Sequence, residues 1–179
     1  MPGGGVFDEL GRRWAKLVPG WRLLVGSLFV LSIGLLGLTP KALFGMPIAW
    51  PHAALWAAIG WGMSGISIRP LVLLSVFGLI QDVYTVAPLG CFMLVNLTTF
   101  GAAAWLAENF DLEADPLRWV LIAPICIAIG FFVLWVLASS NLDYGVTVGP
   151  LVGPYITTLL GYLIFAWVFR LQSDPIRGR

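Results

Sequence analysis

The chain has 179 residues, is 59% hydrophobic and only 11% charged, and carries a net charge of +1. A soluble domain is roughly 45–50% apolar and about 25% charged, and a small one must expose much polar surface because its surface-to-volume ratio is high. The composition therefore excludes a water-soluble fold, and the near-zero charge gives no electrostatic reason to expect a nucleic acid or another strongly charged partner.

In chain order, the first element is a short amphipathic segment, Val6–Val18. Phe7, Leu10, Trp14, Leu17 and Val18 fall within an arc of about 100° on a helix, with Asp8, Glu9, Arg12 and Lys16 opposite. Residues 1–20 are thus expected to lie on the cytoplasmic membrane surface as a helix. The apolar run that follows Arg22 is too long for a signal-peptide core and no A-x-A site follows it, so it reads as a retained first span.

Six apolar runs lie between breakers. They are Trp21–Leu38, Trp50–Ile68, Leu71–Val83, Leu89–Ala107, Trp119–Ala138 and Leu151–Phe169. The third is short, about 20 Å at 1.5 Å per residue against a hydrocarbon core of about 30 Å. It either extends through Arg69 and Tyr84 or sits sheltered in a bundle; a single broken helix over residues 50–83 would leave five spans. Charge separates the counts. With six spans and a cytoplasmic N-terminus, nine of the ten Lys and Arg residues lie on the cytoplasmic side and only Lys41 lies outside. Five spans would move Arg118, Arg170, Arg177 and Arg179 outside and strand Arg69 in lipid. The expected fold is therefore all-α. A six-helix transmembrane domain fills residues 21–171, both termini are cytoplasmic, and residues 172–179 form a cytoplasmic tail. Trp21, Trp50, Trp105, Trp119 and Trp167 lie near predicted span ends, where indoles favour the interface.

Catalytic signatures are absent from the sequence. There is no G-x-x-x-x-G-K-[ST], no G-x-S-x-G and no H-E-x-x-H. The single histidine, His52, excludes a His-rich metal site, and Cys91 and Cys126 read as small apolar core residues rather than a metal or disulfide pair. No ionisable side chain sits well inside a run, which argues against a proton-relaying pump. The chain is expected to be no enzyme, with no cofactor and no metal. The acids Glu108, Asp111, Glu113 and Asp115 read as a solvated cytoplasmic loop, with docking of a basic segment as the alternative.

Three features remain. Asp82 closes the segment Gly78-Leu79-Ile80-Gln81-Asp82 and is placed to accept hydrogen bonds from the Val83–Gly90 turn, with Pro88 and Gly90 opening the next helix. Gln81, Asn96, Thr98 and Thr99 form a polar set that reads as hydrogen-bonded helix glue, with Gln81, Asp82 and Asn96 as the candidate polar pocket in a ligand-binding alternative. Gly149, Gly153, Thr157 and Gly161 recur every four residues. This is a candidate helix-docking ridge, open to either internal packing or a partner helix. Gly60 and Ser64 form a shorter version in the second run.

The segment Gly78-Leu79-Ile80-Gln81-Asp82 with Pro88-Leu89-Gly90 resembles the bacterial rod-shape-determining MreD family, which carries G-L-x-x-D, a short gap and P-L-G before an apolar helix. The length, the layout, Arg69-Pro70 and Pro154-Tyr155-Ile156-Thr157-Thr158-Leu159-Leu160 agree with that family. Only Gly78, Asp82, Pro88, Leu89 and Gly90 inherit the motif. The resemblance implies a non-enzymatic component of the cell-elongation (peptidoglycan synthesis) machinery in the bacterial inner membrane. The implied partners are MreC, RodA, a penicillin-binding transpeptidase and the MreB system. The implied fold is similar to the substrate-binding subunits of energy-coupling-factor transporters, so a small-solute-binding membrane subunit of a transporter is the rival expectation.

Overall fold

A computed structural model describes residues 19–37, 42–43, 46–47, 49–65, 67–85, 87–110, 116–141 and 147–169. The amphipathic segment Val6–Val18, the acids Asp111, Glu113 and Asp115, and the C-terminal tail lie outside these described residues. The elements are α1 (Pro19–Gly37), β1 (Ala42–Leu43), β2 (Met46–Pro47), α2 (Ala53–Gly62), α3 (Ile68–Thr85), α4 (Cys91–Asn109), α5 (Pro116–Asn141) and α6 (Gly149–Phe169). The strands form a small antiparallel hairpin, pairing Ala42 with Pro47 and Leu43 with Met46. Five of the six helices are long and apolar enough to cross a membrane, which makes the chain a multi-pass membrane protein.

The short helix is the second, not the third. α3 runs through Arg69 and Pro70 at its start and Tyr84 near its end, for 18 residues in all. Pro70, read as the stop of the second run, does not keep the third from extending through Arg69 and Tyr84, one of the two readings its short length left open. Pro70 falls in the first turn instead, where backbone N–H groups lack intrahelical partners and a missing one costs nothing. α2 has only 10 residues, about 15 Å, where a run over residues 50–68 was expected. Its C-terminus closes through Ser64 N–H to the Trp61 carbonyl and Gly65 N–H to the Gly62 carbonyl, with Gly65 at φ +104°. That left-handed position is open to glycine and strained for other residues.

Every residue of α2 is buried, and α2 touches all five other helices. Its contacts fix its direction. His52, at the N-cap, stacks on Phe92 at the start of α4, and Gly62 lies against Phe100 and Ala103 further along α4. Trp56 lies on Gly161 of α6, and Gly60 on Phe169 at its end. α2 therefore runs parallel to α4 and α6. Trp50 reaches Ile33 late in α1 while Trp61 meets Gly26 early in it, so α1 is antiparallel. The start of α1 and the end of α6 share one end of the bundle, where Gly26 faces Phe169.

Small residues let the backbones close on this hub. A Cβ at Gly60 would collide with Phe169, and one at Gly62 would sit 2.6 Å from the Phe100 carbonyl oxygen. Aromatic rings fill the remaining space. Phe29 lies 4.9 Å from Phe165, which lies 5.7 Å from Trp56. The buried Trp56 indole donates Nε1–H to the Thr158 carbonyl at 2.7 Å, as a tryptophan in an apolar core requires. Trp56→Ala is expected to cost about 3–5 kcal/mol by leaving a cavity at the hub. Trp56→Phe should cost less, and Leu160→Ala on the exposed face less still. Thermal unfolding of the three variants in one detergent checks this order; equal midpoints would contradict it.

Candidate functional site

The motif residues Gly78, Asp82 and Gly90 meet at the α3–α4 hairpin. α4 begins at Cys91, with Gly90 as its N-cap at φ +94°. A glycine there suits the left-handed turn but brings no side chain to cap the helix. Asp82, on the preceding helix, supplies that function. Its Oδ2 accepts the Gly90 N–H and its Oδ1 the Phe92 N–H, each at 2.7 Å. The Asp82 carbonyl also accepts the Ala87 N–H at 3.0 Å, closing α3. The carboxylate is 1% exposed. It satisfies two N–H groups that would otherwise be orphaned, at the N-terminal end of α4. Bonds of this length to an ionised acceptor are the stronger kind.

Gly78 lies one turn before Asp82. A Cβ there would run into the backbone of Phe92 and Met93. The two positions therefore act on the same short stretch, Gly90 to Met93: Gly78 admits the chain, and Asp82 holds its end. Pro88 accepts the Cys91 N–H at 3.1 Å and lies exposed at the tip. Leu89 is 77% exposed beside it. The expected carboxylate contact with the Val83–Gly90 turn is found at Gly90, and it continues into the helix at Phe92.

The polar set separates on inspection. Asn96 is buried and donates across to α3, to the Leu74 carbonyl and to Gln81 Oε1, both at 3.4 Å. Thr98 and Thr99 instead bond carbonyls of their own helix, Leu94 and Val95, at 2.8 Å. Gln81 and Asn96 thus bind each other, while both oxygens of Asp82 are engaged by backbone. The candidate polar pocket is a set of interhelical bonds rather than a cavity.

The ridge on α6 faces inward over much of its length. Gly161 lies against the Trp56 ring, and a Cβ at Gly153 would stand 2.9 Å from that of Ala49. Thr157 bonds the Gly153 and Pro154 carbonyls. Only Gly149 has open space around it. Of the two readings open for this spacing, internal packing is what occupies it at Gly153 and Gly161. In the shorter version on α2, Gly60 meets Phe169, and Ser64 bonds the Gly60 carbonyl at 2.9 Å.

His52 is the functional-looking residue that spacing did not single out. Its ring stacks on Phe92 at 5.6 Å and meets the edge of Phe131 at 5.4 Å, while its backbone N–H donates to Thr158 Oγ1 at 2.9 Å. A cavity beside it, lined by Leu55, Val95, Asn96, Gly130 and Leu134 among others, has a free volume of about 10 Å³. That is the room of one water molecule, against roughly 300–1,000 Å³ for a ligand site. Among the described residues no group of His, Cys, Asp and Glu is placed to hold a metal.

Set against known proteins, the chain matches no family model, no curated protein and no solved structure.

Asp82→Ala is expected to destabilise the protein by about 1–3 kcal/mol, the usual loss when a buried bonded group is left unpaired. Asp82→Asn should fall between wild type and Asp82→Ala, because a carboxamide offers one acceptor oxygen and turns an NH2 toward an N–H. Gly78→Leu should be the most damaging of the three. Thermal midpoints in detergent and protease cleavage within residues 83–90 read both effects.

Proposed function

We propose that the chain is a non-enzymatic membrane scaffold of the MreD kind, working in the machinery that elongates rod-shaped bacterial cells by lateral peptidoglycan synthesis. Its fold presents helices to the single transmembrane helix of MreC, and through the same assembly it meets RodA, a penicillin-binding transpeptidase and the MreB system. It lies in the inner membrane with both termini cytoplasmic. The charge distribution supports that orientation, because nine of ten cations flank the end at which α1 begins and α6 finishes.

One observation carries the reading. Several chemistry-bearing side chains inside the bundle hold it together: Asp82 on Gly90 and Phe92, Asn96 on Leu74 and Gln81, Thr158 on His52. What faces outward is apolar helix, with exposed Leu28, Val72, Ile125, Ile156 and Ile164 among others. Such an exterior offers surface for other helices. The motif Gly78, Asp82, Pro88, Leu89 and Gly90 fits this role as the joint that makes α3 and α4 one rigid unit. The rival reading, a solute-binding transporter subunit, finds little support in a cavity of about 10 Å³.

The test is in vivo crosslinking followed by affinity purification in mild detergent. MreC and wall-synthesis enzymes are expected among the recovered proteins, and deletion of the gene should convert rods to rounded cells. Recovery of an ATPase pair with a coupling subunit, and intact rods on deletion, would defeat the proposal.

A further inference from the structure

Two polar side chains inside the bundle keep hydrogen-bonding capacity that no described residue meets. His52 gives its backbone N–H to Thr158, but among the described residues no bond reaches either nitrogen of its ring. A neutral imidazole carries one donor and one acceptor, and polar atoms in a protein interior are bonded as a rule. Asn96, 1% exposed, turns its NH2 group toward α3, to the Leu74 carbonyl and Gln81 Oε1. Both of those partners are acceptors, which fixes the orientation of the amide. The carboxamide oxygen at its other end accepts no bond from a described residue.

His52 and Asn96 line the same cavity, between α2, α4 and α5, and they are its two polar side chains. The rest of the lining is apolar, with Leu55, Val95 and Leu134 among it. Neither polar group is loose. The His52 ring is held on one side by Phe92 and on another by Phe131, and its backbone by Thr158. Phe92 is itself tied by its N–H to Asp82. The α5 wall stands close because residue 130 is glycine: a Cβ there would come 2.6 Å from Thr99 Oγ1 and 3.2 Å from Leu55.

An apolar cavity of small size stays dry, whereas a polar one holds water when it offers at least two bonding partners and room for one molecule. The free volume here is about 10 Å³, the room of one water. We propose that this cavity is a binding site for a single water molecule, which bridges the His52 ring to the carboxamide oxygen of Asn96. One O–H of the water goes to Asn96 Oδ1. At the ring, the water accepts the imidazole N–H or donates its second hydrogen to the bare nitrogen, according to which nitrogen carries the proton. The bridge adds a polar link to the ring stack that joins the entry of α2 to the start of α4. It stands apart from any reading of the protein partners.

His52 is the only histidine of the chain, so histidine labelled with 15N reports on this ring alone. The full-length labelled chain is placed in lipid nanodiscs, and dipolar cross-peaks between the ring nitrogens and water protons are recorded by NMR. A cross-peak to a long-resident water is expected in the wild type and is expected to be lost in Asn96→Leu. Leu134→Phe fills the cavity from the α5 wall and leaves both polar groups in place, so it should remove the cross-peak as well, and it serves if Asn96→Leu does not fold. A wild-type ring without the cross-peak overturns the proposal. So does a cross-peak that persists undiminished in either folded variant, because the ring would then be meeting solvent from outside the bundle.

Discussion

A helix of ten residues cannot reach both faces of a bilayer, and the organisation of this bundle follows from housing one. Backbone groups that stop short in hydrocarbon are tolerated only where protein satisfies them. α2 therefore sits at the centre, wrapped by the other five helices, with its entry bonded by a neighbour and its exit by its own chain. Thr158 on α6 accepts the His52 N–H at the entry, and the Ser64 and Gly65 N–H groups fold the exit back onto the carbonyls of Trp61 and Gly62. The outer helices approach on small residues, and the aromatic cluster fills what remains.

The α3–α4 joint solves the same problem at the rim. A glycine N-cap makes the sharp turn into α4 but leaves the first N–H groups without a side-chain acceptor. Asp82 reaches across from the previous helix to provide it. A capping interaction, ordinarily local, here becomes a tertiary contact that also sets the register of two transmembrane helices. Gly78 is coupled to it by geometry, because only a residue without a side chain lets the end of α4 come near enough for the carboxylate to reach.

Much of this was legible in the sequence, and the rest failed for identifiable reasons. Apolar composition and breakers gave six helices in the right order, and Gly78, Asp82 and Gly90 stood out as a joint. Which helix is short was not legible. A helix buried in protein and a helix facing lipid are equally apolar, so Trp50–Ile68 looked like a full span while Pro70 looked like a stop. Small-residue spacing had the same ambiguity: it announces close approach at Gly153 and Gly161 without saying what approaches, and the answer was Ala49 and Trp56. His52 was invisible because its place depends on Phe92, Phe131 and Thr158, which are distant in sequence and carry no pattern linking them.

The division between inside and outside then bears on function. Asp82, Asn96, Thr158, Gly60, Gly78 and Gly161 are used inward, where they join the helices to one another. Lipid and neighbouring helices therefore meet a surface that is apolar and held fixed by what lies beneath it. Without a hydrophobic driving force between helices in lipid, association depends on shape-matched packing, and packing of that kind is specific only against a surface that does not yield. A chain built as a conduit or a carrier needs slack, in the form of a cavity or a helix free to shift. Here the shortest helix is the most tightly enclosed, and the hairpin beside it is tied by two short bonds to a buried carboxylate. Rigidity of this kind is what the scaffold reading proposed above draws on.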